Sequence, residues 1–410
     1  MILQNCKING KIDAKPSKSI FQRLLALSLL SDNPTIIENP SFCDDSITTM
    51  NILQSIGCQI IKLDNKIKVI PKIINEDRTL NCNESALAIR MFPPILSLFN
   101  NKYILVATKT LTKRPLFEID YILKQLGAYV QTNNGYPPIQ IRGPIKAKNI
   151  TLNASQTSQF LSGLLIALPK LEHSSEIVAN HLSSKPYVEI TLSLVTKFGG
   201  NIEVNEQNHF HCIPSRYNGG EFFCENDWSN SAVFLIAGAI GGKCEVVGID
   251  INSVQGDKAI IDILNRVGAK VQINDNSITI EKSELKPFEF WANDFPDLVP
   301  FLCILALNCE GKSKIYGVER LKYKETNRLQ KIIQIFLENN LNIRYENNCL
   351  EIAGKNYSIE YLDTEGDHRF AMVAALLSIN NPKPIKIFNH QAVSKSYPEF
   401  FDDFRKIQYS

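Results

Sequence analysis

The sequence predicts an α/β protein of more than one domain, and three observations carry that prediction. The chain has 410 residues, more than one hydrophobic core usually holds, so at least two domains are expected. Its composition is 44% apolar and 21% charged, which is that of an ordinary globular protein. A pattern of amphipathic helix, glycine-like stop and alternating strand recurs along it.

The copies read LQSIGCQIIKL from Leu53, LKQLGAYVQTN from Leu123, VTKFGGNIEVN from Val195 and LNRVGAKVQIN from Leu264. A weaker fifth reads FLENNLNIRYE from Phe336, with Asn340 where the others have glycine. Asparagine is the usual substitute at a left-handed helix stop. The stops fall at Gly57, Gly127, Gly199, Gly268 and Asn340, a period of ~70 residues. The chain then holds about six units, the sixth closing on the terminal helix PEFFDDFRKI. Each unit mixes helix and strand, so the class is α/β.

Composition excludes several functions. The net charge is +2, so nothing global points to nucleic acid or an acidic partner. The ten cysteines show no CxxC and no zinc spacing, and read as small buried apolar residues in a reducing compartment. The start, MILQNCKINGKIDAKPSKS, has neither an apolar signal core nor an Arg/Ser-rich transit character. No apolar stretch is long enough to span a membrane, and the chain reads as cytoplasmic. His209 and His211 share one strand face but have no third ligand nearby, so they read as surface residues. Neither GxxxxGK[ST] nor GxGxxG occurs. No cofactor and no metal is implied.

The sharper signal is cationic. A helix N-terminus carries partial positive charge and free N–H groups, where acids or capping residues belong. KPSKSIFQRLLALSLL places Lys18 and Arg23 around a first turn, and KETNRLQKIIQIFL places Lys324 and Arg328 at another start. GDHRFAMVAALLSI puts Arg369 in a first turn behind Asp367. SKSYPEFFDDF puts Lys395 before the last helix. TSQFLSGLLIAL and SSKPYVEITLSLV begin with hydroxyls, at Thr157, Ser158 and Ser184. Each misplaced cation costs about 0.3–1 kcal/mol unless an anion lies between it and the helix. The set therefore predicts a site for small, multiply anionic ligands where several repeat helices point inward.

At these residues the chain resembles the enolpyruvylshikimate-phosphate synthases along nearly its whole length. The matching motifs are PSKSIFQR (16–23), ESALAIRMF (84–92), KRPL (113–116), TSQFLSGLL (157–165), SSKPYVEITL (183–192), QGD (255–257), FPDLVP (295–300), KETNRL (324–329), GDHRFAM (366–372) and SKSYPEFF (394–401). Each is weak alone, and their order and spacing together are specific. The resemblance implies a two-domain inside-out α/β barrel, each domain three βαβαββ units. It implies residues 1–14 plus 229–410 as one domain, 15–228 as the other, and an active site in the cleft between them.

It also implies a transferase that moves the enolpyruvyl group of phosphoenolpyruvate to the 5-hydroxyl of shikimate 3-phosphate and releases phosphate, on the route to chorismate and aromatic amino acids. By the same resemblance Lys18, Ser19, Arg23, Thr157, Ser158, Gln159, Ser184, Tyr187, Asp297 and Lys324 hold shikimate 3-phosphate. Lys18, Ala86, Arg114, Gln159, Arg328, Arg369 and Lys395 hold phosphoenolpyruvate, with Arg90 behind them. Asp297, Glu325 and Lys18 match the proton-transfer residues. A carboxylate among cations stays ionised, which favours Asp297 as the base for the hydroxyl. The expected partners are the two small-molecule substrates, with no nucleic acid or membrane, and the expected state is a monomer.

The chain departs from the family pattern in four places. Pro16 stands where a glycine is usual and stiffens the loop before Lys18. Arg320 replaces a neutral or acidic residue, which puts its contact with the shikimate ring in doubt. Ala86 stands for a glycine that lines the phosphate pocket, and Met91 replaces a proline. The extra methyl at Ala86 leaves room for phosphoenolpyruvate but crowds the longer inhibitor glyphosate, so reduced sensitivity is expected. Two alternatives share the fold. A UDP-N-acetylglucosamine enolpyruvyl transferase uses a loop cysteine, and KTLTKRPL has none. A catalytically inactive homologue would have lost Lys18, Asp297, Glu325 or Arg369, and all four are present.

Overall fold

The computed structural model describes residues 1–116, 118–354 and 356–409. The chain divides into two compact units, a continuous one of Pro16–Cys224 and a discontinuous one of Met1–Lys15 with Glu225–Ser410. Lys7–Asp13 belongs to the discontinuous unit because it pairs in parallel with Gly242–Val247, Ile8 opposite Gly242.

Among the described residues there are six small mixed sheets, three in each unit. The strands Ile150–Asn153 and Ser175–Asn180 show the common plan. They run parallel, Ile150 opposite Ile177, with the helix Gln159–Ala167 between them in sequence. The hairpin Asn201–Val204 and His209–Ile213 then adds antiparallel strands. The sheets built on Arg78–Asn81 with Lys102–Val106 and on Glu289–Trp291 with Lys312–Tyr316 repeat it. The last unit differs. Tyr361–Asp363 and Ile385–Phe388 are joined by Ile2–Leu3, and its final strand, Gln408–Tyr409, pairs instead with Lys7–Asp13.

The left-handed stops lie where the repeat put them. Gly57, Gly127, Gly199 and Gly268 have φ of 124°, 96°, 90° and 85°, and Asn340 has 54°. A side chain with a Cβ is strained at such angles, which is why glycine, or asparagine, ends each helix.

In each unit three helices are buried on nearly every side. Lys18–Leu30, Ala86–Leu96 and Gln159–Ala167 form the core of the continuous unit, and Trp228–Gly241, Val299–Leu307 and His368–Ser378 that of the other. All nine residues of Val299–Leu307 are buried, so this helix needs no polar face. Gly163 sets one close approach, since a methyl group there would collide with the Met91 carbonyl of the neighbouring helix. Two of these helices begin at or next to residues singled out by charge, Lys18–Leu30 at Lys18 and His368–Ser378 beside Arg369. No described helix is long and apolar enough to cross a membrane. All ten cysteines are free thiols, nine of them buried.

Candidate active site

In the continuous unit, Lys18 is the first residue of its helix, whose first turn has no acid. Its Nζ donates to Asp45 Oδ2 at 2.9 Å, so its charge is matched by a neighbouring helix. Arg23 lies one turn deeper. Its Nε donates to Thr191 Oγ1 at 2.8 Å and its Nη1 to the Ser19 carbonyl at 2.9 Å. Its Nη2 reaches Ser162 Oγ at 3.2 Å and the Tyr187 carbonyl at 3.3 Å. Arg23 thus joins three helices through neutral acceptors. Burial pulls its guanidinium down to about 10, with a small opposing effect from Tyr187, whose ring centroid is 5.9 Å away. A buried cation with only neutral acceptors is stabilised by any anion brought near it.

Arg90 ties the predicted phosphoenolpyruvate residues of this unit together. Its Nη1 donates to Gln159 Oε1 at 3.2 Å and the Ala86 carbonyl at 3.4 Å, and its Nη2 to the Pro115 carbonyl at 2.8 Å. Pro115 follows Arg114, which is buried at the end of the short helix Lys109–Lys113. One side chain therefore fixes Gln159, Ala86 and the Arg114 segment relative to one another. Thr157 Oγ1 accepts from the Gln159 amide at 3.2 Å. Ser158 and Ser184 occupy the cap positions of Gln159–Ala167 and Lys185–Lys197, Ser184 with φ 55°.

The discontinuous unit holds a denser cluster around Arg328, the first residue of Arg328–Glu338. Its Nε and Nη2 donate to Asp367 Oδ2 and Oδ1 at 2.7 and 3.2 Å. Its Nη1 donates to Asp297 Oδ1 at 2.7 Å and its Nη2 to Glu325 Oε2 at 2.6 Å. Lys324 Nζ lies 3.6 Å from Asp297 Oδ1. Arg369 follows Asp367 and donates from Nη1 to the Ser229 carbonyl at 3.4 Å.

Burial alone would raise the Asp297 carboxyl, but Lys324, Arg328 and Arg369 outweigh it and hold it well below the usual carboxylate range. Burial likewise pulls the Lys324 ammonium down to about 8, against the attraction of Asp297. Asp297, Glu325 and Asp367 are thus balanced in number by Lys324, Arg328 and Arg369. Lys395 is also buried in this unit. Its Nζ is buried without a hydrogen-bond partner, as are Arg369 Nε, Asn230 Oδ1 and Ser396 Oγ. An unpaired buried ammonium is costly, and an anion with several acceptor oxygens meets that cost.

The structure changes several details of the sequence reading. Arg23 sits in the second turn, because the helix starts at Lys18 rather than after it. Lys324 and Lys395 lie at the ends of short 3-10 helices, Glu319–Tyr323 and His390–Lys395, rather than at α-helix starts. The hydroxyls of Ser158 and Ser184 do not cap their helices. Arg328 faces three carboxylates, not an open anion site.

Some partners escaped the sequence reading. Asp45, Thr191 and Ser162 are brought to Lys18 and Arg23 only by helix packing. Asp367 was visible as an acid before Arg369, but not as the clamp of Arg328. Asp257, in the QGD motif, is buried and accepts from Ser229 Oγ. A cavity of about 940 Å³ in the continuous unit lies elsewhere, at the far helix ends near Leu30, Phe99 and Leu171, and contains none of the predicted residues.

The model of the EPSP synthase (3-phosphoshikimate 1-carboxyvinyltransferase) family matches residues 3–404. The 3-phosphoshikimate 1-carboxyvinyltransferase of Clostridium novyi (strain NT) is 33% identical over 416 residues, covering 98% of this chain and 95% of the relative. That of Thermococcus kodakarensis is 32% identical over 402 residues, covering 98% of each. Among solved structures, EPSP synthase from Acinetobacter baumannii superposes with a TM-score of 0.82 at 21% identity, over 99% of this chain and 97% of that one, which is a likeness of fold. Matched from end to end by that family model and by relatives of near-equal length, the chain belongs to the EPSP synthase family, the 3-phosphoshikimate 1-carboxyvinyltransferases.

Proposed function

We propose that residues of both clusters hold each of the two substrates of the family reaction. As a 3-phosphoshikimate 1-carboxyvinyltransferase, the chain moves the enolpyruvyl group of phosphoenolpyruvate onto shikimate 3-phosphate and releases phosphate. Lys18, Ser19, Arg23, Thr157, Ser158, Gln159, Ser184, Tyr187, Asp297 and Lys324 hold shikimate 3-phosphate. Lys18, Ala86, Arg114, Gln159, Arg328, Arg369 and Lys395 hold phosphoenolpyruvate. The observation that carries this reading is the buried, unpartnered Lys395 ammonium, in the same unit as the Asp297–Arg328–Glu325 cluster. It supports an anion held by the unit that also carries the acid–base carboxylates.

The chemistry follows from those charges. The 5-hydroxyl attacks carbon 2 of phosphoenolpyruvate while Asp297, kept ionised by its cations, takes the hydroxyl proton. The methylene carbon gains a proton, and Glu325 and Lys18 serve that transfer. Loss of a proton from the same carbon of the tetrahedral intermediate then expels phosphate. Arg and Lys side chains hold the phosphate and carboxylate oxygens throughout. We further propose that the enzyme acts as a monomer in the cytoplasm, in keeping with its free, buried cysteines.

The test is phosphate release from purified chain given shikimate 3-phosphate and phosphoenolpyruvate. Release that needs both substrates is expected. No release from folded protein would remove the reading.

A further inference from the structure

Arg328 binds carboxylates along two edges that differ in burial. The Nε–Nη2 edge meets Asp367, whose side chain is fully buried, whereas Asp297 and Glu325 at the outer nitrogens retain 20% and 13% exposure. Asp367 is also fixed from every other side. It is the cap of His368–Ser378 and accepts from the Arg369 amide at 2.9 Å and from Thr326 Oγ1 at 3.3 Å. Its own amide donates to the Thr364 carbonyl at 2.9 Å. Asp297 and Glu325 each take one hydrogen bond from the outer edge, at Nη1 and Nη2. That outer edge is the fork that best fits a single bidentate carboxylate.

We propose that Asp367 is a positioning residue for the transfer: it clamps one edge of Arg328 so that the other edge passes from Asp297 and Glu325 to the substrate carboxylate, freeing both for proton transfer. This rests on the reading that Arg328 takes the carboxylate of phosphoenolpyruvate. The two acid–base groups are engaged by Arg328 until that substrate arrives, and one incoming carboxylate replaces both. The exchange needs an arginine that stays put while its outer partners leave, and the buried bidentate pair with Asp367 supplies that. Without the clamp, Arg328 follows Asp297 and Glu325 instead of turning its fork to the substrate.

Asp367→Asn tests this. Asparagine keeps the shape and can still accept from the Arg369 amide, but it cannot accept from both Nε and Nη2 of Arg328. With fold checked by circular dichroism and melting, kcat/KM for phosphoenolpyruvate is expected to fall by ~10²-fold. KM for shikimate 3-phosphate should stay within ~3-fold of wild type. An unchanged kcat/KM for phosphoenolpyruvate in folded D367N, or an equal loss for both substrates, overturns the proposal. If D367N does not fold, the near-isosteric Thr326→Val removes one donor from Asp367 and should raise KM for phosphoenolpyruvate alone by about 3-fold. An unchanged value there overturns it equally. Wild-type chain without any turnover would sink the functional reading instead. Wild-type turnover with the D367N pattern missing sinks only the clamp.

Discussion

Lys324 Nζ stands 3.6 Å from Asp297 Oδ1, with each side chain 20% exposed. Burial wins for the lysine and loses for the aspartate. Lys324 is drawn down to about 8, with Arg328 and Arg320 adding to the effect of burial, while Asp297 is held well below the carboxylate range. Across the neutral range Asp297 is therefore an anion, and Lys324 loses its charge as pH rises through about 8. If Lys324 holds shikimate 3-phosphate, kcat/KM for that substrate should fall over the same interval, since that ratio reports the free enzyme. Lys324→Arg should move this limb out of the accessible range, because arginine stays charged. A pH profile of both proteins checks it, and the same limb in K324R would clear Lys324 of responsibility.

Asp297→Asn and Glu325→Gln should each lower kcat by ~10²–10⁴-fold, the usual size of a lost acid–base step. The KM values should move far less, because neither change removes a cation that holds substrate. Asp297→Asn also removes one anionic partner of Arg328 and of Lys324, so affinity for phosphoenolpyruvate should not weaken. Steady-state kinetics with each substrate varied in turn decide this. A defect confined to KM would reassign both residues to binding.

The scaffold was more legible in the sequence than the ion pairs. The helix stops could be read because one residue type satisfies a local backbone demand, as Asn340 at φ 54° shows in place of glycine. The central helices could be read because they are apolar almost throughout. The Arg328 cluster could be read only as residues. Charge spacing picked out Arg328, Lys324 and Arg369 but assigned them to a ligand, whereas Arg328 is matched by Asp367, which is 39 positions away. Arg23 and Thr191 are separated by 168 positions, and no local rule pairs them. The final strand was also hidden, since Gln408–Tyr409 leaves its own repeat to pair with Lys7–Asp13.

Asp257 offers a stability test with a definite sign. Burial raises its carboxyl to about 7, Asp297 adds to the rise, and Ser229 and Arg369 oppose it. An unfolded aspartate titrates near ~3.9. Between those values the unfolded chain has released the proton that the folded chain keeps, so this group's contribution to stability is lost as pH rises through that window. Asparagine cannot ionise. The melting temperature of Asp257→Asn minus that of wild type should therefore grow from about pH 4 to about pH 7 and be level above it. Melting scans at about pH 5 and about pH 8 check it. A difference that is flat, or that shrinks with rising pH, contradicts the ionisation assigned to this carboxyl.

Ala86 is the first residue of its helix and is buried, with its carbonyl accepting from Arg90 Nη1 at 3.4 Å. Arg90 also holds Gln159 and the segment after Arg114, so the Ala86 methyl belongs to a wall that cannot easily give way. Leu87 and Met91, both buried, stand on the same helix. A methyl pressed against a ligand in such a wall costs about 1–3 kcal/mol. Glyphosate, longer than phosphoenolpyruvate, should meet that cost when the smaller substrate does not. Ala86→Gly is then expected to lower the glyphosate inhibition constant by about 10-fold or more, while KM for phosphoenolpyruvate changes little. Inhibition measured against varied phosphoenolpyruvate, in wild type and A86G, tests this. Strong competitive inhibition of the wild-type enzyme, unchanged in A86G, would show that the methyl does not reach the ligand.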